Sequence, residues 1–487
     1  MAEIEASTER ILEIFTKINE IPRCSRNEAR IGAWLMNWAS EHDLEAEQDE
    51  VKNVLIRVPA SEGYEQAATV VIQGHMDMVC EKTPESTHDF SKDPIAVIRD
   101  GDWIHAKETT LGADNGIAIA LALAVVEEGV PHPALEIIIT VDEETGLTGA
   151  QELRAGWLSG TQLLNIDSED DGIFTVGCAG GQTTYLMLPV AYEQTDLESI
   201  GMKVSVSGLR GGHSGVNIHE QRANANVLLT RFLQAVEVAV AHGGKPYFSL
   251  ASITGGSAHN AIPRDAEATL VLSSEHKGQL AEFVADFEQT LQAEHASIEP
   301  GLALTVSECE TPPEVMTDES ARRLLDLLAA LPHGVLRMSA DVEGLVETST
   351  NLATIKIKDG VEIGTSQRSS FSSRLAQAAG QVTAAARLAG ASVRVDSRYP
   401  AWEPDMESSL LSRAKKVYNE QFGSDPVIEV IHAGLECGVI GAKYPGMEMI
   451  SFGPTITGAH SPDERLQVST LSRAWQLLAA LLASYGG

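Results

Sequence analysis

Ala68-Thr69-Val70-Val71-Ile72-Gln73-Gly74-His75-Met76-Asp77 is an apolar run that stops at a glycine and then presents a histidine and an aspartate. Its β-branched residues predict a buried strand, and its polar end predicts a site. The pattern recurs twice: Ala134 to Val141 runs into Asp142-Glu143-Glu144, and Leu163 to Ile166 runs into Asp167. Between the first two runs, Asn115 to Glu128 has helical spacing and length. Strands alternating with a helix predict an α/β sheet, in which ligands gather at the carboxyl ends of the strands.

Upstream of this block, residues 4–41 read as two amphipathic helices. Beyond residue 184 the texture changes to alternating strands (Met202 to Val206, Ala268 to Leu272, Leu302 to Val306, Asn351 to Ile357) with helices at Asn224 to Val240 and Gly278 to Ala293, an α+β pattern. After 398 the α/β texture returns, with a helix near Ser408 to Gln421, an apolar strand Met449 to Phe452 and a helix from about 470. The expected organisation is an α/β domain in two parts, 1–183 and 398–487, interrupted by an α+β domain at 184–397. At about 210 residues, the insertion is long enough for two small antiparallel lobes.

A chain of 487 residues is too long for one core, and its 43% hydrophobic content is typical of a globular protein. With 35 basic against 69 acidic residues, the formal charge of -34 repels phosphate backbones and anionic membranes, so neither is an expected partner. Cys24, Cys80, Cys178, Cys309 and Cys437 are scattered and odd in number, which indicates neither a disulfide framework nor a zinc ribbon. That usage suits a reducing compartment. The start, Met1-Ala2-Glu3-Ile4-Glu5, lacks the basic and apolar regions of a signal peptide, and the longest apolar run, Ile117 to Val126, is far short of a span. A cytoplasmic location is expected.

The chemistry-bearing segments are Gly74-His75-Met76-Asp77, Gly112-Ala113-Asp114-Asn115-Gly116, Asp142-Glu143-Glu144-Thr145-Gly146, Asn165-Ile166-Asp167 and Gly458-Ala459-His460-Ser461. On a strand His75 and Asp77 share a face, so Asp77 can accept the far imidazole N–H of a ligating His75. Imidazole and carboxylate together suit zinc, manganese or cobalt, and a carboxylate such as Asp114 can bridge two ions. Adjacent Glu143 and Glu144 repel each other unless a cation intervenes. If Glu144 binds metal, Glu143 is free to serve as general base. Each segment alone has an ordinary explanation: a hydrogen-bonded His-x-Asp pair, a helix N-cap at Asp114, a solvated acidic loop, a loop histidine. It is their joint occurrence at the ends of apolar runs and in glycine-rich loops that is hard to assign to chance.

The first three of these segments, together with Gly211-Gly212-His213-Ser214-Gly215 and His432-Ala433-Gly434-Leu435-Glu436-Cys437-Gly438, resemble the aminoacylase/carboxypeptidase-type di-metal peptidases and, within them, the bacterial aminoacyl-histidine dipeptidases. The resemblance runs essentially end to end. It implies a catalytic α/β domain interrupted by a lid, two divalent ions (zinc, with cobalt or manganese as alternatives), and a small peptide substrate. His75 and Asp167 would hold one ion, Glu144 and His460 the other, with Asp114 bridging, Glu143 as base and Asp77 orienting His75. In the lid, His213 would stabilise the oxyanion, Asn260 would help hold the substrate, and Arg368 would take the substrate carboxylate, for which a guanidinium fork is suited. Gly434 would line the pocket. A preference for Xaa-His dipeptides, β-Ala-His included, is implied by the resemblance alone. The competing readings are a broad dipeptidase, an N-acyl amino acid hydrolase, and a catalytically silent scaffold. The length of the lid would let His213 act within its own chain, and a homodimer is also compatible.

Overall fold

The computed structural model of the chain describes all residues except 1, 197, 241–247, 341, 343 and 487. By packing the chain divides into two units: Met1–Cys178 with Trp402–Val430 and Leu435–Gly487, and Ala179–Ala401 with Ile431–Gly434. Strand Gly180–Leu188 belongs to the second unit's sheet and pairs there with Ser392–Tyr399, so the crossings fall a few residues outside 183/184 and 397/398.

The first unit is α/β. Its eight-stranded sheet runs in the order Glu45–Gln48, Val54–Val58, Leu135–Thr140, Val70–His75, Gln162–Asn165, Glu448–Ser451, Ile173–Cys178, Val427–Ile431. The four central strands are parallel to one another. Parallel strands are covered on both faces, which explains their unbroken apolar reading. Val71, Ile72, Ile137, Ile138, Leu163, Leu164 and Ile450 are all essentially inaccessible. Three of these strands end where the sequence turns polar, at His75, before Asp142-Glu143-Glu144 and before Asp167. Helix Ala113–Glu127, buried along nearly its whole length, begins beside them with Asp114 in its first turn.

The second unit is α+β and entirely antiparallel in its main sheet: Ala303–Cys309, Ser199–Ser207, Ala266–Ser273, Ser249–Gly255, Val346–Lys358, Gly360–Ser369, Gly180–Leu188, Ser392–Tyr399, with Gly334–Met338 beside Val346–Lys358. The two lobes expected from length are therefore one continuous sheet. The seam is thin, because Ser249–Gly255 meets Val346–Lys358 only at Gly255 opposite Ile355. Helices Ala225–Val240, Lys277–His295 and Asp318–Ala330 cover one half through Leu229, Phe232, Leu280, Leu291 and Leu324.

The expectation for the cysteines fails. Cys24 and Cys80, 56 residues apart, form a disulfide, whereas the spacing suggested none. Cys24 forms a bridge with Met78, parallel to the segment that follows His75, and this apposition exists only in the folded chain. Cys178, Cys309 and Cys437 are free.

Candidate functional site

His75 is 1% exposed, and its two ring nitrogens face different carboxylates. Nδ1 lies 3.2 Å from Asp77 Oδ1, while Nε2 lies 3.1 Å from Asp114 Oδ1 and 3.5 Å from Asp167 Oδ1. Asp77 does more than meet the imidazole. Oδ1 also accepts the Glu143 N–H (3.1 Å), and Oδ2 accepts the Glu144 N–H (3.3 Å) and the Ser25 hydroxyl (2.8 Å). One buried carboxylate thus sets both the histidine and the turn that carries the two glutamates.

His460 approaches from a distant loop, where it adopts a left-handed backbone (φ 63°). Its Nε2 lies 3.1 Å from Asp114 Oδ2 and 3.0 Å from Glu144 Oε2. The Asp114 carboxylate therefore offers one oxygen to each histidine. Two donor groups, His75-Asp114-Asp167 and Asp114-Glu144-His460, each have ligand atoms within 4.8 Å of one another, and Asp114 belongs to both. Glu143 joins His75 and Glu144 in a third such group.

The electrostatics report a shortage of positive charge. Burial, with Asp167, Glu436 and Glu144 adding to it, lifts Glu143 well above the usual carboxylate range. Glu144 and Asp167 are raised for the same first reason, helped by Asp114. Burial opposes the His75 imidazolium, but hydrogen bonds with Asp114, Asp167 and Asp77 outweigh it and hold the ring well above the histidine range. His460, half exposed, is pushed up to about 11 by its hydrogen bonds to Asp114 and Glu144. A cluster of this kind binds protons at neutral pH to relieve its own repulsion. Divalent cations meet the same deficit through imidazole and carboxylate donors, and buried Glu144 Oε1 has no hydrogen-bond partner to compete with one. The residues fit a metal pair.

Beneath the cluster lies a network absent from the sequence reading. Glu436, wholly buried, accepts from Gln73 Nε2 (2.6 Å) and Thr140 Oγ1 (2.7 Å), and burial lifts it to about 7. Asn115 ties three segments of the cluster together: its Oδ1 accepts the His75 N–H (3.1 Å), its Nδ2 donates to Ile166 O (2.7 Å), and it follows Asp114 directly. An Asn after an Asp looks like a helix start, so the sequence carried no signal for this role.

The remaining candidates sit in the second unit. His213 pairs with Ala261 across a two-stranded ladder, which brings Asn260 to the adjoining turn. The N–H groups of Gly215 and Val216 donate to His213 Nδ1 (3.3 and 3.1 Å), fixing the neutral tautomer with its proton on Nε2. Burial, then the charge of Arg368, lowers His213 to about 4. Arg368 is buried, and its Nη2 faces His213 Nε2 at 3.4 Å. Two donors facing each other leave room for a shared acceptor, as an anion would supply. Nη1 donates to Tyr399 Oη (2.8 Å), a partner the sequence did not mark. Gly434 packs against that tyrosine, and a Cβ there would lie 2.6 Å from the ring.

Comparison with known proteins agrees with this arrangement. Residues 71–484 match the model of peptidase family M20/M25/M40. The chain is 39% identical over 98% of its length to a cytosol non-specific dipeptidase of Escherichia coli, 98% of which is covered. It is likewise 39% identical to an aminoacylhistidine dipeptidase of Vibrio alginolyticus of known structure, with a TM-score of 0.87 over 98% of this chain and 96% of that one. An aminopeptidase, PepT, of Bacillus cereus shares the fold at 16% identity (TM-score 0.57, 99% of both chains). With its ligand cluster and these matches in hand, the chain belongs to the peptidase family M20/M25/M40 and is a hydrolase of peptide bonds.

Proposed function

We propose that this peptidase is a two-metal dipeptidase that cleaves Xaa-His and related dipeptides, β-Ala-His among them. The observation that carries the two-metal reading is Asp114, whose two oxygens face two histidines while Glu143 remains over. Two relatives at 39% identity, each named a dipeptidase, support the substrate length. The Vibrio relative's name supports the histidine preference, and the Escherichia coli relative's name supports the broader second reading and a cytoplasmic location.

In this proposal His75 and Asp167 would hold one ion and Glu144 and His460 the other, with Asp114 belonging to both donor sets. Zinc is the proposed metal, with cobalt or manganese suiting the same donors. When bound, such ions supply Lewis acidity that acidifies a water and draws charge from the scissile carbonyl. Glu143 takes the water's proton and returns it to the leaving amine. Asp77 holds the His75 Nδ1 proton so that Nε2 presents its lone pair. His213, neutral at pH 7 with its proton on Nε2, donates to the oxyanion, and Arg368 takes the terminal carboxylate. Asn260 and Gly434 border the bound peptide.

The test is hydrolysis of β-Ala-His, Leu-His, Leu-Gly, Leu-Gly-Gly and an N-acetyl amino acid after chelation and restoration of zinc, cobalt or manganese. Metal-dependent cleavage concentrated on the His dipeptides is expected. Equal cleavage of Leu-Gly leaves the broad reading, and an inert metal-loaded protein overturns both.

A further inference from the structure

Glu464 lies outside the ligand set yet is 2% exposed, on the same hairpin loop as His460, between strands Ile456–Thr457 and Arg465–Gln467. Its carboxylate accepts four consecutive backbone N–H groups at the start of helix Ala113–Glu127. Oε2 takes Leu111 (2.7 Å) and Gly112 (2.9 Å), and Oε1 takes Ala113 (2.7 Å) and Asp114 (3.3 Å). From the other side, Arg23, wholly buried, donates to Gly112 O as well as to Met76 O (3.2 Å) and Asp77 O (3.0 Å). The Gly112 residue is thus held at its N–H by an anion and at its C=O by a cation. Only glycine suits the position: φ is +70°, and a Cβ would stand 2.4 Å from Arg23 Nη2. Burial lowers Arg23 to about 10, which leaves it cationic at neutral pH.

We infer that Glu464 is a positioning residue for the metal centre: by gripping the turn that leads into Asp114 from the loop that carries His460, it fixes the spacing between these two donors, with Arg23 holding the same turn to the His75-Asp77 segment. The inference rests on the two-metal reading. A carboxylate suits this task because both its oxygens are acceptors and four N–H groups need them. An amide in its place turns one end into a donor facing donors, which opens the turn and moves Asp114 relative to His460.

The experiment compares wild type with Glu464→Gln by zinc titration, by the visible spectrum of the cobalt-substituted protein and by steady-state kinetics, with the melting temperature of the metal-free chain as folding control. The expected result is two bound equivalents in wild type and, in the variant, roughly ten- to a hundred-fold weaker binding of one equivalent. The cobalt spectrum changes, and kcat falls with KM nearly unchanged. A helix cap alone would lower the melting temperature but leave the metal titration and the spectrum as in wild type, and that result overturns the inference while sparing the two-metal reading. Wild type binding no metal overturns both. If Glu464→Gln does not fold, Arg23→Lys, which keeps the buried charge but loses the fork, replaces it: weakened metal binding supports the clamp, and unchanged binding overturns it.

Discussion

The two units gather opposite electrostatic deficits. In the first, Asp77, Asp114, Glu143, Glu144 and Asp167 crowd around two histidines, and both histidines and three of the carboxylates are driven toward their protonated forms. In the second, Arg368 lies among His213, His259 and His432, and all three imidazoles are driven toward their neutral forms by burial and by the guanidinium. One region calls for cations and the other for an anion. Each is costly to fold around with its partner absent, since buried charge is tolerated only when matched. What the difference teaches is that a ligand class can be inferred from the sign of the mismatch, before any ligand is placed.

The sharpest way to break the first half of the comparison is Glu143→Gln. The amide cannot accept the water's proton, so kcat falls roughly 10²–10⁴-fold, while zinc content by elemental analysis stays at the wild-type level because the five proposed ligands are intact. Retained turnover would remove Glu143 as base; lost zinc would make it a ligand.

How much of this was legible varies along the chain for physical reasons. Parallel strands buried on both faces must be apolar throughout, so Val70 to His75 and Leu135 to Thr140 stand out and deliver their polar ends as site candidates. The centre of the second unit's sheet follows a different rule. Thr348, Ser349, Thr350, Thr365, Ser366, Gln367 and Ser369 are buried there and bond to one another or to polar groups beside them, as in Thr348 Oγ1 with Ser369 Oγ (2.9 Å), Thr184 Oγ1 to Gln367 Oε1 (2.8 Å) and Ser349 Oγ with His432 Nε2 (2.7 Å). A buried polar strand has no apolar signature, so Gly360–Ser369 was invisible as a strand although Arg368 on it was singled out. Arg23, Glu464, Tyr399 and the Cys24–Cys80 bond were missed because each acts on a residue far away in sequence. For Glu464 a faint signal existed, a carboxylate four residues beyond the candidate ligand His460 in Gly458-Ala459-His460-Ser461-Pro462-Asp463-Glu464.

A pH test sharpens the second half. His432 is buried against Ser349 Oγ (2.7 Å), and burial, then Arg368 and His213, lowers it to about 3. The folded chain therefore refuses a proton that the unfolded chain accepts below pH ~6.5. Its contribution to stability is complete above that pH and drains away as pH falls toward 3. By pH 4 the loss from this residue is on the order of 3 kcal/mol. Chemical denaturation of wild type and His432→Gln at pH 7 and pH 4 should show the variant losing less by about that amount, and equal losses would mean that the imidazole is not held neutral.

The smallest expected effect probes geometry at constant charge. Arg368→Lys keeps a cation in the second unit, so the deficit of negative charge persists and His213 stays neutral. What changes is the fork: a guanidinium presents parallel N–H groups to a carboxylate while still donating to Tyr399 Oη, and an ammonium cannot do both. KM for a dipeptide should rise roughly tenfold, the equivalent of one charge-assisted hydrogen bond. The same substitution should leave KM nearly unchanged for a dipeptide amide, which offers no carboxylate to grip. If both substrates suffer alike, Arg368 shapes its unit through Tyr399 and His213, and the anion that this region calls for is something other than the substrate's terminal carboxylate.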